Sequence, residues 1–138
     1  MTTSEFNVRT PRHDCLVDIT AEVESAVKDS GAQEGFAVVF VPHTTAAVTI
    51  NENADPDVMH DVLKQLNEIV PWRQPFYQHG EGNSAAHVKS SMLGCSETVA
   101  LSAGRLTLGT WQGIYFAEFD GPRSRRVIVQ VVAAAAEA

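Results

Sequence analysis

The sequence has 138 residues and carries 10 Lys and Arg against 17 Asp and Glu, a formal net charge of −7. That length suits one domain with a real hydrophobic core and no need of disulfide or metal staples. The acidic balance excludes a chain that binds nucleic acid or an anionic membrane through its overall field, so any anion has to be captured by a local group of cations.

The opening stretch, MTTSEFNVRTPRHD, is polar and lacks the apolar centre of an export signal. No later run approaches the roughly 20 apolar residues of a membrane span. A cytoplasmic protein without membrane contact is the expectation. Only Cys15 and Cys95 occur, and they are expected to be reduced and structural. Cys95 has no His or basic side chain beside it in sequence to favour a thiolate.

CLVDI (15–19) reads as a strand, and Thr20 is placed to cap a helix with Val23, Ala26 and Val27 on one face, stopped by Gly31. GFAVVFV (35–41) is short, apolar and β-branched, which predicts a buried strand ended by Pro42. AAVTIN (46–51) predicts the next strand and leaves His43, Thr44 and Thr45 at the junction, where side chains are often free for ligands. Asp55 followed by Pro56 starts a helix whose Met59, Val62, Leu63 and Leu66 recur at helical spacing. VPWRQPFYQHGEGN (70–83) is irregular and long enough to suggest function. Ser84 is placed to cap a helix running to Gly94, with His87 and Ser91 on one face. ETVAL, GIYFAEF and RVIVQVV predict three closing strands, with GRLTLGTW between the first two, and AAAAEA is a small helical or frayed tail. With no repeat or linker, residues 1–138 read as a single α+β domain with a largely antiparallel sheet and two to three helices.

His43, His79 and His87 stand after a strand, in the glycine-rich loop and in the first turn of a helix. Three imidazoles converging from separate elements would suit a zinc ion with one open position; three independent hydrogen-bonded histidines are the alternative. His13 and His60 lie on polar stretches and read as surface residues. Asp55 and Asp57 have structural work at a helix start, whereas Glu52, just after the TIN strand, reads equally as a general base, a metal ligand or a solvated side chain. HGEGNSAAHVKSS joins glycines, Asn83, a helix start and Lys89, a setting for phosphate without the spacing of a P-loop. Arg123, Arg125 and Arg126 fall within DGPRSRR, either a site for a phosphorylated or carboxylated ligand or a solvated turn. Trp111 stands in GTWQG, where an indole packs on the core or over an aromatic ligand.

PHTTAAVTINENADPDV, AAHVKSSMLG and GRLTLGTWQGIYFAEFDGPRSRRV together resemble the YjbQ-like family, over about Val38 to Val131. The resemblance implies an α+β fold assembled as a homotrimer, with sites near subunit interfaces. It also implies thiamine phosphate synthase activity as a secondary reaction: a hydroxymethylpyrimidine diphosphate is joined to a thiazole phosphate and pyrophosphate is expelled. On this reading His43, Glu52 and His87 are catalytic, and His43, His79 and His87 hold a divalent metal, zinc or magnesium. Thr44, Thr45, Asn83, Lys89, Trp111, Gln112, Arg123 and Arg125 contact a phosphorylated small-molecule substrate. The sequence leaves open a non-enzymatic trimeric metal- or ligand-binding protein, or a metal-dependent hydrolase with the same ligands.

Overall fold

The computed structural model describes residues 1–135. The chain runs β1 (Thr2–Arg9), β2 (Cys15–Asp18), α1 (Thr20–Ser30), β3 (Gly35–Phe40), β4 (Ala46–Glu52), α2 (Pro56–Ile69), α3 (Ser84–Leu93), β5 (Ser96–Ser102), β6 (Arg105–Leu106), β7 (Gln112–Glu118) and β8 (Ser124–Ala133). Five strands form one sheet in the order β1-β8-β3-β5-β6, and three form a second in the order β2-β7-β4, all neighbours antiparallel. The expected α+β class holds, with three helices.

Strand alternation decides what each face buries. Ala37 and Val39 of β3 and Val127, Val129 and Val131 of β8 point inward from the larger sheet, and they meet Ala46, Val48, Ile114 and Phe116 from the smaller one. Val23 and Val27 of α1 complete that core. The opposite face of the smaller sheet is also covered: Ala47, Ala117 and Phe119 pack on Leu66 of α2 and Ala86 of α3. Burial on both faces explains why GIYFAEF has no polar alternation. The outer face of the larger sheet is left open, with Phe36 and Phe40 exposed.

Several local expectations shift. β1 was not legible in the polar opening; only Phe6 and Val8 mark its inner face, and it is an edge strand paired with β8 alone. Ile19, not Thr20, is the cap residue of α1. The Thr20 hydroxyl instead donates to Asp18 Oδ1 (2.6 Å) and accepts from the Ile114 amide (2.9 Å), so a neighbouring strand has claimed it. Ser84 is likewise the first helical residue of α3, behind Asn83. The Asp55 cap stands, its carboxylate accepting from the Asp57 amide at 2.9 Å. Ala134 and Ala135 follow β8 without regular structure, and the rest of the expected tail lies outside the described residues.

One buried ion pair ties the two sheets together. Glu118, at the end of β7, is fully buried, and Arg125 of β8 is 4% exposed. Arg125 Nε donates to Glu118 Oε1 at 2.8 Å and its Nη2 donates to Glu118 Oε2. Thr10, just after β1, donates to Glu118 Oε1 (2.8 Å), and the Asp120 amide donates to Oε2 (3.0 Å). Arg125 Nη2 also reaches the Thr45 hydroxyl at 2.8 Å, immediately before β4. Gly121 makes the approach possible: a Cβ there would stand 2.5 Å from the Arg12 carbonyl oxygen and 2.8 Å from Glu118 Cγ.

Burial alone would raise the Glu118 pKa, but the bonds from Arg125, the Asp120 amide and Thr10 outweigh it and leave the carboxyl below its ordinary value. A depressed carboxyl stabilises the fold above the unfolded-state pKa, and that contribution is lost as pH falls through the folded one. Arg125→Met is expected to cost about 3–5 kcal/mol in urea unfolding, because it strands a buried carboxylate. Arg125→Met with Glu118→Leu should recover much of that loss and flatten the acid limb of the stability profile; equal losses in the single and double variants would refute the clamp.

Candidate functional site

Where β3 ends, Val41 still donates to the Cys95 carbonyl (2.8 Å), and then Pro42 to Thr45 carry the chain from the larger sheet to the smaller. This crossover lines a cleft of about 510 Å³ with His43, Thr44, Thr45, Cys95, Arg123 and Arg125. His43 Nε2 accepts from the Arg126 backbone amide at 3.0 Å. Burial, and next the Arg125 charge, push the His43 pKa below its ordinary value. The ring is therefore neutral near pH 7, with its proton on Nδ1. It offers a donor, not a lone pair.

Thr45 is buried and committed to Arg125, whereas Thr44 is exposed. Arg123 is half-exposed and aimed by Asp120, its Nε donating to the Asp120 carbonyl (2.9 Å) and its Nη2 to Oδ2 (3.2 Å). Asn83 Nδ2 reaches the same Asp120 oxygen at 2.9 Å, so one carboxylate couples the arginine to the start of α3.

A second cleft, about 470 Å³, opens between the long loop and α3 and is lined by Phe76, Tyr77, His79, Ser84, His87 and Val88. The His79 and His87 rings stand edge to face with centroids 5.3 Å apart. His79 and His87 thus meet, but His43 lines the other cleft. Among the described residues no three His, Cys, Asp or Glu side chains are placed to hold a metal ion. The expected triple does not assemble within one chain, and the Nε2 lone pair of His43 is already spent on the Arg126 amide.

Glu52, Trp111 and Gln112 form a third group. β4 pairs with β7 from Ala46↔Glu118 to Glu52↔Gln112, so Glu52 lies roughly 20 Å along the strand from the His43 end. Glu52 and His43, expected to act together as catalytic residues, are therefore held apart within one chain by the length of β4. Trp111 is 62% exposed. Gln112 Oε1 accepts from the Gly109 amide (2.8 Å), which fixes the turn.

Lys89 faces inward, 3% exposed, and lines neither cleft. Its Nζ donates to Asn67 Oδ1, and Asn67 Nδ2 donates to Asp14 Oδ2 at 2.7 Å, tying α3 to α2 and to the segment before β2. Burial pushes its pKa down, with Asp14 opposing. Glu118, Asp120 and Thr10 were not singled out in the sequence. The signal for Glu118 was there: one charged residue inside the apolar run IYFAEF.

Residues 4–134 match the sequence pattern of the family described as UPF0047 protein YjbQ-like. The chain belongs to this family. It is 50% identical to UPF0047 protein YugU of Bacillus subtilis over 127 residues, 92% of this chain and 96% of that protein. It is also 50% identical to UPF0047 protein MJ1081 of Methanocaldococcus jannaschii, over 93% of this chain and 92% of the relative. Its fold is similar to the crystal structure of an uncharacterized YjbQ/UPF0047 protein from Clostridium acetobutylicum, with TM-score 0.91 and 52% identity over 94% of this chain and 99% of the other. The hypothetical protein APE1520 from Aeropyrum pernix superposes with TM-score 0.92 at 39% identity, over 97% and 100% of the two chains. These relatives carry no activity in their names. Among the described residues of this UPF0047 protein, no helix is long and apolar enough to cross a membrane.

The His43 contact is directly measurable. Imidazole ¹⁵N spectra are expected to show a neutral ring at pH 7 with the proton on Nδ1, titrating below the ordinary 6.5. The unfolded chain then takes up this proton first, so His43 lowers stability as pH falls from about 6.5 through its folded pKa. An Nε2–H tautomer would mean that the Arg126 amide is not its partner.

Proposed function

We propose that this UPF0047 protein is a transferase acting on a phosphorylated small molecule, with thiamine phosphate synthase activity as a secondary reaction. The observation that carries the reading is the composition of the first cleft: His43 Nδ1–H, the Thr44 hydroxyl and two guanidinium groups converge there in a protein of net charge −7. Nη1 of Arg125 has no protein partner among the described residues. Such a donor set suits phosphate oxygens. In the proposed reaction the bond between the pyrimidine methylene carbon and the diphosphate oxygen breaks, and the thiazole nitrogen bonds to that carbon. Pyrophosphate departs with its negative charge met by the Arg123 guanidinium, and the neutral His43 ring adds an Nδ1–H hydrogen bond to it.

The homotrimer belongs to the same proposal. Glu52, Trp111 and Gln112 stand at the far end of the β4–β7 pair from His43. A site that uses both groups draws them from two subunits. In that arrangement Trp111 supplies a flat wall for the pyrimidine and Glu52 faces its developing positive charge.

The family resemblance also implies zinc or magnesium. Among the described residues one chain does not bring three ligands together, so no step here passes through an ion. His79 and His87 supply two nitrogens of a site that a neighbouring copy would complete.

A second reading, a trimeric binding protein without turnover, is favoured by one observation: among the described residues the polar side chains fixed around the first cleft are donors, with no free carboxylate to act as a base.

The experiment is conversion of the two phosphorylated precursors, with mass measurement in solution and elemental analysis of the purified protein. Thiamine phosphate is expected to form, and Arg123→Ala should slow it about 10- to 100-fold, the loss of one charge-assisted contact. Absence of product with tight precursor binding would leave the binding-protein reading, and a monomer would overturn the shared site.

A further inference from the structure

A cleft of about 440 Å³ lies between α1 and the β5–β6 turn, lined by Glu24, Val27, Lys28, Gly104, Arg105 and Leu106. Gly35, where β3 starts, pairs with Leu101 near this turn, whereas Phe40, where it ends, pairs with Ser96 beside the His43 cleft. The two clefts therefore belong to opposite ends of the larger sheet. Leu106, half-buried, gives a small apolar floor, and Val27 lies beneath it in the core. Glu24 and Lys28 are one helical turn apart and Arg105 faces them across the cleft. Among the described residues none of these three charged side chains has an ion-pair partner, although acids outnumber bases in the chain. Their neighbours hold the walls in place. The Gly104 amide donates to the Gln33 carbonyl (2.9 Å), and the Ala103 amide donates to Glu34 Oε1 (3.1 Å).

Two cations and one anion around a hydrocarbon floor call for a ligand with the complementary pattern. We propose that this cleft is a second ligand site, separate from the His43 cleft, that binds a small zwitterion: an α-amino acid with an apolar side chain. Its carboxylate lies between Arg105 and Lys28, where the guanidinium meets it bidentately. Its ammonium faces Glu24, and its hydrocarbon covers Leu106. The volume is ample for such a ligand.

The test is titration of the ¹⁵N-labelled full chain with L-leucine and, separately, with 4-methylpentanoate, which keeps the carboxylate and hydrocarbon but lacks the ammonium. Leucine is expected to give saturable amide shifts centred on Lys28, Gly104, Arg105 and Leu106, with 4-methylpentanoate about tenfold weaker. Glu24→Gln should bring leucine down to the level of 4-methylpentanoate, and Arg105→Gln should remove saturation by either. All three charged positions are exposed, so the variants are expected to unfold at the parent's urea midpoint. No saturable shift in this region, shifts confined to the His43 cleft, or equal binding of the two probes would each overturn the proposal.

Discussion

A carboxylate and a guanidinium held out of water between two sheets set the terms for everything around them. Removing two such ions from solvent costs several kcal/mol each and is tolerable only when nearly every lone pair and proton is met. Glu118 accepts from Thr10, the Asp120 amide and two nitrogens of Arg125. Those partners come from the end of β1, the β7–β8 turn and β8, and Arg125 adds Thr45 at the start of β4. The pair thereby fixes where both sheets end relative to each other. An apolar pair would pack here without this demand on its neighbours. What the ions add is orientation, because the same guanidinium that satisfies Glu118 lines the first cleft.

The neutrality of His43 follows from that arrangement. Its ring lies close enough to the buried Arg125 charge, and is sufficiently withdrawn from water, that protonation is disfavoured. The Arg126 amide then takes the remaining lone pair. An imidazole so placed is a hydrogen-bond donor to an anion and a poor metal ligand, since both of its nitrogens are assigned. The chemistry of this residue is decided by β8 and not by its position in HTT.

What could be read from the sequence was whatever local periodicity controls. β3, β4, α2 and the closing strands follow from apolar spacing and from the Asp55-Pro56 start. β1 did not, because an edge strand needs apolar residues on only one face and here has just two, Val8 buried and Phe6 partly so. Thr20 and Ser84 looked like caps on local grounds, and for Thr20 a strand far along the chain supplied a competing hydrogen bond. His43 follows a strand, His79 lies in the long loop and His87 stands on α3, as their local sequence indicates. Their mutual distance depends on strand lengths and pairing that no motif encodes.

Lys89 shows the same limit from the other side. Beside a helix start and a glycine-rich loop it read as a phosphate ligand, yet α3 buries Ala85, Ala86, Lys89 and Ser90 on one face. With Phe119 on the same buried side, 5.7 Å from Nζ, the ammonium finds its partner in Asn67 and its countercharge in Asp14. Its folded pKa is lowered, so holding the charge there costs stability at neutral pH, and the cost is relieved as pH rises through the folded value toward the unfolded one. A residue retained at that cost must give something a neutral side chain would not. Here it is a rigid link from α3 to α2 and the segment before β2, and α3 is the element that carries His87 into the second cleft and follows Asn83, the partner of Asp120. The buried lysine thus positions both clefts while touching neither.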